Sequence, residues 1–357
     1  MTAPPLLSVR HLSTDFVNPA SGAAHALEDV SFDVYPGQTL GLVGESGCGK
    51  TTALMSIMRL LPSSGRITQG EVILNGVDLL SLSEREIRQY RWKEISMVFQ
   101  GAMNALNPVI PVGDQIREAI LLHDMMDRQN ADRRVVELLE LVGIARSRKD
   151  QYPHQYSGGM RQRAMIAMAL ACLPDILFAD EPTTALDVMI QAQVLELLNR
   201  IQKELGLAIV LVTHDLGVIA EACDSAVVMY GGKVAEYGHI DAIYNAPQHP
   251  YTQRLLEAFP DLNRPADTLA SIPGEPPRLN DLPPGCRFEP RCHLRLPGGA
   301  ESMCACSSPA LVDVTHLSGR SMSENYLPDR PRFITHHLVA CHRLSSGRSF
   351  EIRNAEK

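Results

Sequence analysis

No stretch of this 357-residue chain approaches the roughly 20 consecutive apolar residues that cross a bilayer; residues 164–173 are among its longest apolar runs. The sequence supplies no membrane span of its own. It also lacks a lysine- or arginine-rich tract and carries a net charge of −8, which argues against a surface that grips nucleic acid. The first residues show neither a charged n-region nor a continuous apolar core, so no secretory signal is expected. No internal repeat is visible, and the cysteines do not repeat the C-x2-C pairs of a zinc ribbon. What is present is an ordinary globular composition, 45% apolar, with length for one large domain and a smaller one. A protein in the cytosol, or bound to the cytosolic face of something else, is expected.

Residues 6–16 and 26–34 read as strands around a turn-rich insert at 18–22. An apolar run at 39–43 precedes a glycine-rich turn and an apolar helical stretch at 53–61. Residues 71–74 followed by Asn75-Gly76 give a hairpin signal, and 95–99 a short strand ending at Gln100. From 101 to about 156 the pattern is helical, as in Val135, Leu138, Leu139 and Val142, which reads as a helical insertion at about 101–158. Strand–helix alternation resumes after Ser157, with helices at 164–172 and 188–205 and strands at 176–179 and 208–213. A hairpin is expected from 227–229 and 234–237 across Gly231-Gly232. Buried strands alternating with helices imply an α/β fold with a mostly parallel sheet and antiparallel N-terminal strands. From about Pro260 the chain becomes proline-rich and loses periodicity. We therefore expect a domain at 1–259 and a small irregular C-terminal segment at 260–357.

The glycine-rich turn reads Gly44-Glu45-Ser46-Gly47-Cys48-Gly49-Lys50-Thr51-Thr52, which fits G-x-x-x-x-G-K-[ST] between a strand and a helix. Glycines let the backbone wrap an anion, so that loop N–H groups and the helix N-terminus point at phosphates. Lys50 would reach the terminal phosphates and the Thr51 hydroxyl would ligate Mg²⁺. Asp180 and Glu181 close the apolar strand 176–179, and a carboxylate at a strand's carboxyl end faces the ligand crevice of an open α/β sheet. Asp180 is suited to hold Mg²⁺ through water, and Glu181 to polarise the water that attacks the γ-phosphate. The competing role for this pair is an acidic N-cap on a helix starting near Thr183.

Six separated elements carry a family resemblance: 44–51, Gln100, 157–163, Asp180-Glu181-Pro182-Thr183, Ala185-Leu186-Asp187 and His214. In order and context the chain, over roughly residues 6–259, resembles the ATP-binding cassette (ABC) ATPases. That resemblance implies two ATPase subunits sandwiching two ATP molecules head to tail. Ser157, Gly158 and Gly159 then match the signature that addresses the partner's ATP, and Gln100 the glutamine that contacts Mg²⁺. Asp187 matches the loop crossing the dimer interface, His214 the histidine that contacts γ-phosphate, and Phe16 an adenine-stacking aromatic. Many members read Leu-Ser-Gly-Gly-Gln, whereas this chain has Tyr156-Ser157-Gly158-Gly159-Met160; the residues that address phosphate are intact.

Three runs narrow the branch. Asn104 to Pro108, His154 to Arg163 and His249-Pro250-Tyr251-Thr252 resemble the ATPase subunits of dipeptide and oligopeptide importers. The tail adds Ile272-Pro273-Gly274, Gly285-Cys286-Arg287-Phe288, Pro290-Arg291-Cys292 and Ala340-Cys341-His342. Such a subunit implies two transmembrane permease subunits, a second ATPase subunit, commonly a different chain, and an extracytoplasmic solute-binding protein. It implies a peripheral position on the cytoplasmic face of the inner membrane and no nucleic-acid partner. The same branch also serves nickel, sugar and opine uptake. A soluble ABC ATPase working on DNA or ribosomes would show a long coiled-coil insertion, zinc modules or two cassettes, and none is seen. A subunit with a dead site is excluded by Lys50, Asp180, Glu181 and His214.

Five of the eight cysteines lie in the tail, as Cys286-x5-Cys292-x11-Cys304-x-Cys306 and then Cys341. Disulfides are unfavoured in a cytosolic chain, so clustered thiolates suggest zinc or an iron–sulfur cluster. Tails of similar importer subunits carry four cysteines around a 4Fe–4S cluster, which the resemblance extends to this chain. Their third cysteine stands five residues before a proline, a small residue and a leucine. Cys304 has that relation to Pro309, Ala310 and Leu311, which selects Cys286, Cys292, Cys304 and Cys341 and leaves Cys306 spare.

Overall fold

The structure, a computed structural model, describes residues 4–18, 22–101, 105–184, 186–258, 272–315 and 333–345. Asn104, Ala185 and the expected domain junction at 259–260 lie outside the described residues. Strands β1 (Leu7–Asn18) and β2 (Gly22–Val34) pair as an antiparallel hairpin, with Leu7 opposite Val34 and Asn18 opposite Gly22. β3 (Thr39–Val43), buried at every residue, feeds the glycine-rich loop and helix α1 (Lys50–Ile57). β4 (Gly65–Leu74) and β5 (Val77–Asp78) turn at Asn75 and Gly76, whose φ values of 49° and 82° are those an Asn-Gly hairpin turn requires. These outer strands form one antiparallel sheet in the order β2-β1-β4-β5.

A Ser83–Glu86 capping box starts α2 (Glu84–Tyr90), and β6 (Ile95–Val98) follows. Between β6 and Ser157 come two α-helices, α3 (Val112–Leu122) and α4 (Arg128–Leu141), and no strand among the described residues, as the periodicity there implied. Then α5 (Gly158–Ala169), β7 (Ile176–Asp180), α6 (Val188–Leu205), β8 (Ala208–Thr213), α7 (Leu216–Ala222) and β9 (Ser225–Tyr230) alternate. β10 (Lys233–His239) returns beside β9, and α8 (Ile240–Asn245) and α9 (Pro250–Glu257) follow.

The main sheet runs β9-β3-β8-β7-β6 in parallel, with β10 antiparallel at the β9 edge. Both its faces are buried, which is why its strands read as near-continuous apolar runs. Leu40, Leu42, Phe178 and Val210 enter one apolar cluster, while Val43, Leu177, Ala179 and Leu211 enter the cluster on the opposite face with α3, α4 and α5. The tail adds α10 (Met303–Cys306), β11 (Val312–Asp313), β12 (Leu338–Val339) and α11 (His342–Ser345). β12 pairs with β10 and β11 with β12, so the tail extends the main sheet.

Three local expectations are corrected. Helix α5 begins at Gly158 rather than 164, because the Ser157 hydroxyl accepts the Met160 N–H and caps a start that two glycines conceal. Helix α1 begins at Lys50 and ends at Ile57 instead of spanning 53–61, since Gly49 supplies the turn into it and Arg59 leaves at φ 52°. β4 begins at Gly65, not 71; Gly65 to Gln69 pair with Phe16 to Ser13 despite little apolar alternation.

Candidate nucleotide site

Parallel strands bring their carboxyl ends to one edge, and four sequence-selected segments follow there: 44–49 after β3, Gln100 after β6, Glu181 after β7 and His214 after β8. The loop cannot accept a side chain at two of its glycines. At Gly44, φ 154°, a Cβ would stand 2.2 Å from the Met229 carbonyl oxygen; at Gly49, φ 104°, it would stand 2.8 Å from that of Ala26. Because Gly49 offers α1 no side-chain cap, the first-turn N–H groups face outward as anion donors. The Lys50 ammonium is buried inside the loop, where Nζ donates to the carbonyls of Gly44 (2.6 Å) and Glu45 (3.0 Å) and lies 3.7 Å from Cys48 Sγ.

Asp180, the last residue of β7, is 1% exposed, and neither carboxylate oxygen meets a hydrogen-bond donor at bonding geometry among the described residues. Burial raises its pKa; the nearby Thr51 side chain and Lys50 draw it down, and Glu181 pushes it up. A buried carboxylate this poor in donors, beside a threonine hydroxyl, suits a hard divalent cation with oxygen ligands. Glu181 stands differently. Its Oε2 accepts from Gln100 Nε2 (2.8 Å) and Thr184 Oγ1 (2.9 Å), and His214 Nδ1 lies 3.4 Å from Oε1. Burial works against its charge, but the hydrogen bonds from Thr184, His214 and Gln100 outweigh it and hold the carboxyl below its usual range. Its φ of 44° is strained for a glutamate, a cost typical of functional positions. Neither acid caps a helix near Thr183. Helix α6 starts at Val188, and the capping carboxylate is that of Asp187, which accepts the Ile190 N–H at 3.0 Å.

Lys50, Thr51, Asp180, Glu181, Gln100 and His214 thus form one constellation. Ser157 and Asp187 form a second neighbourhood, the capped starts of α5 and α6; a Cβ on Gly159 would come within 2.8 Å of Ile190. Phe16 lies on β1 opposite Ala24 and Gly65, half-buried. Sequence reasoning missed Thr184, although it directly follows the Asp-Glu-Pro-Thr run. It also missed the local work of three residues quoted only as branch markers. The Tyr251 hydroxyl accepts the Glu45 N–H (2.9 Å), Arg291 pairs with the Glu45 carboxylate (2.7 and 3.0 Å), and Arg287 bonds Glu28 and the Gly231 carbonyl.

In the tail, Cys286, Cys292, Cys304 and Cys341 line one cavity with Phe288, while Cys306 is exposed and outside it. Burial, reinforced by the neighbouring thiols, pushes Cys286 up to about 11 and Cys292 to about 12. Among the described residues no three His, Cys, Asp or Glu side chains converge closely enough for a metal ion. The four thiols therefore share a cavity without meeting at a point.

Residues 27–184 match the family model described as ABC transporter, and residues 235–298 that of the oligopeptide/dipeptide transporter C-terminal region. The chain is 50% identical over 294 residues to the dipeptide transport ATP-binding protein DppD of Bacillus subtilis, covering 82% of this chain and 88% of that one. It is 47% identical over 289 residues to the oligopeptide transport ATP-binding protein OppD of Escherichia coli, covering 80% and 85%. Among solved structures, the dimeric bacterial ABC transporter cassette MJ0796 aligns with a TM-score of 0.59 at 28% identity, over 66% of this chain and 98% of that one.

Proposed function

The chain belongs to the ATP-binding subunits of ABC importers for dipeptides and oligopeptides, and from that premise we propose how its residues bind ATP and drive hydrolysis. It is an ATPase whose turnover energises peptide import. The observation that carries the residue assignment is the contrast between two adjacent acids, one deeply buried with only the Thr51 hydroxyl and Lys50 beside it to favour its charge, and one held ionised by three side chains. In this reading, residues Gly44 to Thr52 wrap the phosphates, with Lys50 neutralising the terminal ones. Thr51 and Asp180, with Gln100, hold Mg²⁺, which supplies charge compensation for the transferred phosphoryl group. Glu181 orients and deprotonates the attacking water, and His214 stands over the γ-phosphate. Phe16 stacks on adenine.

Ser157, Gly158, Gly159 and Asp187 act across the interface on the ATP of a second ATPase subunit, which we infer to be a different, related chain. Among the described residues no helix is long and apolar enough to cross a membrane. From the family we infer two permease subunits, a solute-binding protein on the far side and this chain on the cytoplasmic face of the inner membrane. In the assembled transporter, Ser157→Arg should leave ATP affinity at this chain's own loop within about twofold while lowering hydrolysis about a hundredfold or more, because the γ-phosphate loses a helix N-terminus and meets a bulky side chain. Nucleotide-binding titrations beside turnover assays check this. Full activity of an isolated monomer would contradict it.

We infer that Cys286, Cys292, Cys304 and Cys341 hold a 4Fe–4S cluster that braces the tail, within a two-part chain of 1–259 and 260–357. The four thiols line one cavity, and a thiolate-held cluster is the group that the resemblance to importer tails implies there. Among the described residues the segment's own apolar cluster is small, around Val314, Val339 and Leu344, and ligation is the common substitute for a core. After anaerobic purification, iron and acid-labile sulfide should each approach four per chain, fall with Cys→Ser at any of the four, and survive Cys306→Ser. Stoichiometric zinc without sulfide would overturn the cluster.

A further inference from the structure

The arginine beside one tail cysteine reaches into the phosphate loop. Arg291, 6% exposed, forms a two-pronged pair with Glu45: Nη1 to Oε2 at 2.7 Å and Nη2 to Oε1 at 3.0 Å. The same guanidinium donates to Tyr230 Oη (3.1 Å) at the end of β9 and, through Nε, to the Pro273 carbonyl (2.9 Å). Tail residues Pro277, Arg278 and Leu279 face Glu45, Ser46 and Cys48 across one cavity, and the His25 N–H donates to the Leu279 carbonyl. The tail is therefore built against the loop.

Glu45 is an acid inside a loop suited to anions, and its uncompensated charge would oppose phosphate through the short distances of the loop. A bidentate arginine cancels that charge and fixes the side chain's direction, which a lysine could do only as a point charge. We propose that Arg291 is a positioning residue for ATP binding: by pairing with Glu45 it neutralises and orders the phosphate loop, so the C-terminal segment sets the nucleotide affinity of the core. This rests on the reading of residues 44–52 as the nucleotide site and adds a control element to it.

The test uses the full chain for ATP titration and the assembled transporter for kinetics. Arg291→Met should raise the dissociation constant and KM for ATP about tenfold, with kcat within about threefold, because a half-buried carboxylate is left unpaired beside the phosphates. Arg291→Lys should fall between. Combining Arg291→Met with Glu45→Gln, which removes the charge the arginine compensates, should bring KM back to within about threefold of the parent. If Arg291 were only a staple for the tail, Glu45→Gln would not rescue, the heat-unfolding midpoint would fall equally in single and double variants, and the proposal would be overturned. It would also be overturned if Arg291→Met left ATP affinity unchanged while Lys50→Ala abolished it, an outcome that spares the nucleotide-site reading. Intact ATP binding in Lys50→Ala would instead remove that reading, and this proposal with it.

Discussion

Glu181→Gln should lower ATP turnover in the assembled transporter by ~10²–10⁴, the usual cost of losing a positioned base, while ATP still binds. The substitution keeps the shape of a side chain that accepts from Gln100 and Thr184 and neighbours His214. It removes the ability to take a proton from water. With the phosphate loop untouched, the variant should accumulate as a closed ATP-bound pair with its partner subunit, visible as nucleotide retained through gel filtration. The pH dependence has a definite sign. Since its hydrogen bonds hold the Glu181 carboxyl below the ordinary carboxylate range, its base form persists through neutrality and is lost only as the pH falls below that range. Turnover within about threefold of the parent would take Glu181 out of the catalytic role.

Lys50→Ala should act one step earlier, weakening ATP at this loop by about a hundredfold or more, since hydrogen bonds to charged groups contribute roughly 1.5–3 kcal/mol each and 1.4 kcal/mol is tenfold. The loop itself also loses support, because the ammonium donates to the Gly44 and Glu45 carbonyls from a buried position. Binding and turnover should therefore fall together, unlike in Glu181→Gln, where only turnover falls. Calorimetric titration of the full chain with MgATP separates the two variants. Comparable ATP affinity in Lys50→Ala and the parent would place the phosphates elsewhere.

Much of this was legible in the sequence because the site depends on local order. The phosphate loop, the acids at the carboxyl end of β7 and the histidine after β8 each stand at the end of a buried apolar strand, and parallel pairing of those strands is enough to gather them. The bounds of α6 and β8 could be read directly, since a long amphipathic helix and a fully buried strand carry strong periodic signals. The start of α5 was hidden because two glycines mimic a loop, and only the Ser157 cap reveals the helix. The extension of the main sheet by β12 could not be read from two residues, Leu338 and Val339, whose partners are Tyr237 and Glu236. Nor could the Arg291–Glu45 pair, 246 positions apart, be found by any local pattern; its only trace is an arginine beside a cysteine. The four-cysteine choice rests on resemblance; those four thiols line one cavity, and Cys306 is exposed outside it.

The most direct measurement of the central claim is peptide uptake by sealed vesicles containing this chain, its partner ATPase and the permease subunits, with the solute-binding protein on the side opposite this chain. A labelled dipeptide or oligopeptide is supplied with the binding protein, and ATP on the ATPase side. The account predicts accumulation that requires ATP hydrolysis and is lost in both Lys50→Ala and Glu181→Gln. Uptake that continues at the parent rate in Glu181→Gln, or vigorous ATP turnover that never moves peptide, would contradict it.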